Sequence, residues 1–280
     1  MRNHHTLSRR AVIAGFAAAS TFSANSAFAD ANLALIRNSH AASQALDQAV
    51  LNDASSKWPN ASSVPGGVSL KTLNGVFTSS SNGQVIEGLD ISVAIINHTG
   101  VTVRNCRVTG GFEVKAVNCI VECCHLYGIG LLRGADGSTV RYCDISNVEN
   151  GIWVEANNVL IENNYIHDLA GGSEAHVDGI QFPEITPAIH DVIIRNNNID
   201  LGSSTTTSCI MMTGCNAITV DHNRVCGGAY VIYFEYCTDN RLTNNTFRLG
   251  PGSFGYFDHR GSRYVSSGNI DEATGRPLKL

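Results

Sequence analysis

One pattern recurs along this chain and limits what it can fold into. It runs as an aliphatic residue, two variable positions, a small polar residue or Cys, one variable position and a second aliphatic residue. The stretch Val159-Leu-Ile-Glu-Asn-Asn-Tyr-Ile-His167 holds the central copy, around Asn164. Before it stand Ile86…Leu89…Ile91, Val103…Cys106…Val108, Val121…Cys124…Leu126 and Val140…Cys143…Ile145. After it stand Ile194…Asn197…Ile199, Val220…Asn223…Val225, Leu242…Asn245…Phe247 and Val265…Gly268…Ile270. Successive fourth-position residues are 17, 18, 19, 21, 33, 26, 22 and 23 apart. A unit this short cannot bury its own apolar side, so neighbouring units must stack, which predicts the coils of a parallel β-helix. A leucine-rich repeat shares the period, but its fixed run of leucines is missing.

The fourth-position series is Leu, three Cys, four Asn and a Gly, as though like residues sit above like. Stacked Asn amides can hydrogen-bond along a column whose rungs are ~4.8 Å apart. In this the chain resembles the right-handed parallel β-helix proteins of the pectate lyase type, whose coils carry inward asparagine ladders. The resemblance runs over about residues 84–270. It implies an all-β, single-stranded right-handed parallel β-helix and leaves the chemistry open.

Residues 1–29 read as a twin-arginine-like export signal: Ser8-Arg9-Arg10, an apolar run from Ala11 to Ala19, and a small-x-small site at Ala27-Phe28-Ala29. The expectation is a periplasmic or secreted protein. Without that segment the balance is 16 basic against 24 acidic residues, a net charge of −8, the wrong sign for nucleic acid. No later apolar run reaches the ~18 residues of a membrane span. Residues 31–54 place Leu35, Ile36, Ala42, Leu46, Ala49 and Val50 loosely at helical spacing, which predicts a helix capping the open end of the coils. The organisation expected is signal 1–29, cap and loop 30–69, and β-helix 70–280. Nine cysteines is an odd count, and Cys106, Cys124 and Cys143 fall in the inward column, where thiols act as small apolar residues.

Each coil also carries a second strand just before the next repeat, such as Ile152-Trp-Val-Glu155, Ile180-Gln-Phe182 and Ile232-Tyr-Phe-Glu235. Alternation turns the apolar members inward and leaves two outward rows on one face. One row reads Glu113, Gly130, Trp153, Gln181, Met211, Tyr233, Tyr256; the other includes Lys115, Arg133 (given a local bulge), Glu155, Thr213, Glu235 and Asp258. Aromatic rings beside charges suit an extended glycan. That assigns substrate contact to Trp153, Gln181, Tyr233, Glu235, Tyr256 and Asp258. The long coil between Asn164 and Asn197 adds His176 and Asp178 before Gln181; a histidine beside a carboxylate is a usable acid–base unit, and Glu155 faces them from the coil below.

The succession Val114-Lys-Ala…Val121, Leu132-Arg-Gly…Val140, Gly151-Ile-Trp-Val…Ile161 resembles the coils of the family-six polysaccharide lyases, the alginate lyase and chondroitinase B group. The resemblance implies Lys115 as base and Arg133 as acid for β-elimination on an acidic, uronate-containing polysaccharide, with calcium neutralising the uronate. A cation beside the base also offsets enolate charge. The expected function is therefore a polysaccharide lyase using Lys115, Arg133, His176, Asp178 and Glu155. Two alternatives stay open: a glycoside hydrolase with Glu235 and Asp258 one coil apart as its carboxylate pair, and a non-catalytic glycan-binding β-helix. Nothing in the residues sets the oligomeric state.

Overall fold

The computed structural model describes residues 58–60, 69–172, 175–202 and 206–280. The export signal and the helix expected over 31–54 lie outside them. Each repeat forms a coil of short parallel strands, so the chain is a parallel β-helix. Nine strands, from Val85–Glu87 to Tyr264–Ser267, make one sheet with one strand per coil. The other sheet has 17 strands in two flanks, joined where Leu89–Ile96 pairs with both Arg107–Val108 and Phe112–Val114. One flank stacks short strands such as Asp144–Ile145 and Tyr165–His167, and the other stacks longer ones such as Asn150–Val154, Asp178–Phe182 and Tyr230–Glu235.

The aliphatic positions of the repeat lie directly above one another: Val103, Val121, Val140, Ile161, Ile194, Val220 and Leu242 form one continuous column of partners. All seven are buried. Burying a side chain of this kind is worth ~1.5–3 kcal/mol, and it is realised only when a neighbouring coil is present. Between the two strands of each repeat the chain bends at one left-handed residue. Asn105, Cys123, Tyr142, Asn163, Asn196, His222 and Asn244 take φ between 52° and 57° there, and Gly268 takes 69°. A non-glycine residue in that region costs roughly 1–2 kcal/mol, offset by the residue that follows it, which enters the ladder.

In the ladder Asn164, Asn197, Asn223, Asn245 and Asn269 stack, each side-chain carbonyl accepting the main-chain N–H of the residue one coil earlier at 2.9–3.0 Å. The last member corrects the sequence reading. Gly268 occupies the bend and Asn269 the ladder, one residue later than the repeat suggested. Ser266 then pairs with Leu242, which leaves Val265 57% exposed. Cys106, Cys124 and Cys143 continue the column as buried free thiols.

A second stacking code runs along the outside of the nine-stranded sheet. Glu87, Arg104, Glu122, Arg141, Glu162, Arg195 and Asp221 form a single column of alternating sign. Arg104 pairs with Glu87 at 2.8 Å, Arg141 with Glu122 at 2.7 Å and Arg195 with Glu162 at 2.5 Å. Slipping one coil past another would break these pairs. At the far end the terminal residues fold back over the last coil. Leu278 donates its N–H to the carbonyl of Asn269 at 2.8 Å, Pro277 bridges Ile270, and Leu278 and Leu280 pack on the core.

Candidate functional site

The longer strands present the face singled out above, and their register fixes its rows. Glu113, Gly130, Trp153, Gln181, Met211, Tyr233 and Asp258 lie in line, one per coil. Trp153, Gln181 and Tyr233 therefore stand where alternation places them. Tyr256 does not. Gly255 pairs with Tyr230 and Phe257 with Ile232, so Tyr256 stands level with Val231, two residues short of the row, packed against the core with its ring edge-on to Phe247 at 6.3 Å. Asp258 takes its place beside Tyr233, and Arg260 stands beside Glu235.

In the second row, main-chain bonds from Leu132 to Val114 and from Glu155 to Leu131 continue the ladder without a bulge. Leu132, and not Arg133, is the neighbour of Lys115. Gly134, at φ +98°, turns the chain away, and exposed Arg133 donates Nη1–H to the Thr186 carbonyl at 3.1 Å, two coils on. Lys115 Nζ makes an ion pair with Glu113 at 2.5 Å. The structure does not bring the lysine and the arginine together.

His176 is exposed on the loop before the strand Asp178–Phe182, whereas Asp178 is fully buried. Among the described residues no hydrogen bond joins them. Asp178 Oδ1 accepts the hydroxyl proton of Ser208 at 2.7 Å, and Oδ2 is buried without a partner. Burial pushes the carboxyl up to about 7, against the opposing pull of the Ser208 hydrogen bond. Asp178 is thus an interior acid beneath the face and not a group on it.

Charge and aromatic surface converge at the C-terminal end of the rows. The Arg260 guanidinium lies over the Tyr233 ring, 5.4 Å from its centroid, and its Nε is 3.3 Å from Asp258 Oδ2. Burial and then the Glu235 carboxylate push the Tyr233 phenol up. Three coils away Trp153 donates Nε1–H to Glu155 Oε1 at 2.9 Å, which holds the half-buried indole in one orientation. Between the two rings Gln181 has a buried amide oxygen with no partner, and its Nε2 lies 3.9 Å from Met211 Sδ. Arg260 is the residue of this group that the outward rows read from the sequence leave out. Its signal is the alternation Tyr256, Asp258, Arg260, but a slip of two residues in the assumed register concealed it.

Calcium at a lyase-type site needs hard carboxylate ligands. Gly110 and Gly111 occupy the approach to the Lys115 strand, and a Cβ on Gly110 would lie 2.4 Å from the Ser92 carbonyl oxygen, so no side chain fits there. Among the described residues no group of three or more His, Cys, Asp or Glu side chains is placed to hold a metal. The residues present do not fit that ion. The opposite flank of the sheet carries His167 strung between Asp144 at 3.0 Å and Asp168 at 2.7 Å, with Tyr165 stacked on it at 4.0 Å. The hydrogen bond that His167 donates to Asp144, above all, pushes the imidazole pKa up. Both ring nitrogens are engaged, so His167 serves as a strut between coils. No helix among the described residues is long and apolar enough to cross a membrane.

Comparison with family models agrees on the architecture. A family model described as a right handed beta helix region matches residues 67–186. No curated protein matches the chain. Among solved structures it is similar to the GH136 lacto-N-biosidase from Eubacterium ramulus, at 12% identity and a TM-score of 0.43 over 70% of this chain and 44% of that one. It is also similar to a tailspike protein double mutant of E. coli bacteriophage HK620 in complex with pentasaccharide, at 12% identity, TM-score 0.31, over 74% of this chain and 61% of that one. The Dettilon tailspike protein aligns at 12% identity and a TM-score of 0.29, over 73% of this chain and 60% of that one. The chain thus spans less than two thirds of each of these solved chains. What repeat, register and family model establish together is an all-β right-handed parallel β-helix.

Proposed function

We propose that the chain is a carbohydrate-active enzyme that hydrolyses a glycosidic bond of an uncharged glycan on the outer face of its longer strands. The observation carrying this reading is the juxtaposition of Glu235 and Asp258 on adjacent coils, with Arg260 ion-paired to Asp258 and lying over the Tyr233 ring. Because Asp258 stands beside Tyr233 and not beside Glu235, the two carboxylate residues are offset by one coil and two residues. Their α-carbons are then ~8 Å apart, from ~4.8 Å between coils and ~6.6 Å along the strand. This is longer than the one-coil spacing read from the sequence. It leaves room for a water between the carboxyl groups, as inversion of configuration requires. In this mechanism Glu235 gives a proton to the leaving oxygen, and Asp258 takes one from the water that attacks the anomeric carbon. One C–O bond breaks, another forms, and one water is consumed.

The charge of the face supports a neutral substrate. Glu113, Glu155, Glu235 and Asp258 stand along the rows against Lys115 and Arg260, both already ion-paired. A polyuronate would meet repulsion from such a surface. Elimination by Lys115 and Arg133 has weaker support, since the pair is separated and the lysine is engaged by Glu113. The test is turnover and retention on a panel of neutral glycans. Glu235→Gln and Asp258→Asn should each lower kcat by ~100-fold or more while the glycan is still retained in affinity electrophoresis. Unchanged turnover in both variants overturns the assignment. Retention without any cleavage by the unaltered protein makes the chain a binding module.

A further inference from the structure

We propose that Cys215 and Cys237 form a peroxide-oxidisable pair, a modification site at which a disulfide ties two neighbouring coils together behind the candidate site. Each cysteine follows a long strand by two residues, after Thr213 and Glu235 respectively. The parallel bridge between Asn216 and Thr238 stacks Cys215 against Cys237. Adjacent coils stand about 4.8 Å apart, inside the roughly 4.4–6.8 Å α-carbon window that a disulfide spans. All nine cysteines are free thiols, so the bond remains to be made.

The bonding of this pair adds one contact to what the other stacked thiols make. In the inward column Cys106, Cys124 and Cys143 each place Sγ 3.2 Å from the carbonyl oxygen two residues before it, donating their S–H. Cys215 and Cys237 make the same kind of contact, each Sγ lying 3.4 Å from the carbonyl oxygen two residues before it, and the sulfur of Cys237 in addition accepts the main-chain N–H of Cys215 at 3.4 Å. A hydrogen bond received from an N–H favours the charged form of a thiol, and of these two sulfurs it is that of Cys237 that receives one. The Cys215 thiol, ahead of the main-chain contacts, pulls the Cys237 pKa down, while that same contact pushes Cys215 up. Cys237 is the nucleophile and Cys215 the resolving thiol. Both are buried, so the oxidant must be small. A hydroperoxide fits, reacting when the exposed turn at Tyr236 opens.

The step balances as follows. The Cys237 thiolate attacks the O–O bond of hydrogen peroxide, becoming a sulfenic acid, and the hydroxide released takes a proton to leave as water. Cys215 then attacks that sulfur, the S–S bond forms and a second water departs, so two thiols are oxidised as one peroxide is reduced.

The experiment treats the folded protein with hydrogen peroxide, then counts thiols by alkylation in denaturant and maps the peptides. The expected result is loss of two of the nine thiols, a linked peptide joining Cys215 to Cys237, and recovery of both on adding dithiothreitol. Cys215→Ala should leave a sulfenic acid at Cys237 that dimedone traps, and Cys237→Ala should leave Cys215 reduced. Mapping the unaltered protein decides the matter even if a variant fails to fold. Loss of Cys106, Cys124 and Cys143 at the same rate as this pair overturns the proposal. So does survival of all nine thiols after the methionines have been oxidised.

Discussion

Asp178→Asn isolates the carboxyl raised furthest among the described residues. Asp178 is fully buried, one of its oxygens has no partner, and burial raises its pKa from the ordinary 3.8 to about 7. The native state therefore binds this proton more tightly than the unfolded chain does. Its contribution is fully present below the ordinary carboxyl pKa and is lost as pH rises toward the folded value, after which the penalty stays constant. A difference of about 3 units at ~1.4 kcal/mol each gives ~4 kcal/mol in all, of which roughly 2–3 kcal/mol falls between pH 5 and pH 8. Asparagine keeps the acceptor for Ser208 and places an N–H where the carboxylic acid has its O–H, so the variant should match the parent near pH 4 and exceed it at pH 8. The assay is urea unfolding of both proteins across this range, comparing the difference in stability at each pH so that all other titrations cancel. A difference that stays flat with pH refutes the reasoning, because it would mean that Asp178 is charged at no cost in the fold.

Two further outcomes follow from the stacking codes. Asn197→Ala removes the acceptor for both the main-chain and side-chain N–H of Asn164 and the donors to Ile161, Arg195 and Asn223. At ~1–3 kcal/mol for each buried group left unsatisfied, it should cost several kcal/mol in denaturant unfolding, well above a surface Asn→Ala. Glu162→Gln leaves Arg195, paired to a carboxylate that is almost wholly buried, without its counter-charge. A loss of ~3–5 kcal/mol is expected, and the loss should shrink when Arg195→Gln is added in a double-mutant cycle.

The coils were legible in the sequence because each repeat buries the same two aliphatic positions, and a one-residue slip would expose both. That logic is strongest in the middle of the stack, where Ile161 and Ile194 have neighbours above and below. It weakens in the last coil, which has a partner on one side only. There the fold keeps Asn269 on the ladder at the expense of exposing Val265, and the aliphatic pattern alone pointed the other way. The same weakness moved Tyr256 off the outward row. Phe257 meets Phe234 edge-on at 5.2 Å and Tyr264 at 4.9 Å, so aromatic packing sets that register. The alternating column from Glu87 to Asp221 was present in the residues two before each ladder position, but a reading of apolar periodicity passes over charge. Alternation in fact sets Asp178 on the inward side with Ile180 and Phe182; reading it with His176 as a loop pair passed over that parity.

The central claim is hydrolysis by Glu235 and Asp258 on this face, and the mass of the products tests it most directly. The purified protein is incubated with neutral glycans and, separately, with alginate, pectate, glucuronan and chondroitin, and the fragments are weighed and their absorbance followed. The account predicts fragments from a neutral glycan that carry one added water, no unsaturated uronate, and loss of those fragments in Glu235→Gln. Unsaturated fragments from a uronate polymer, lost in Lys115→Ala and kept in Glu235→Gln, would contradict it.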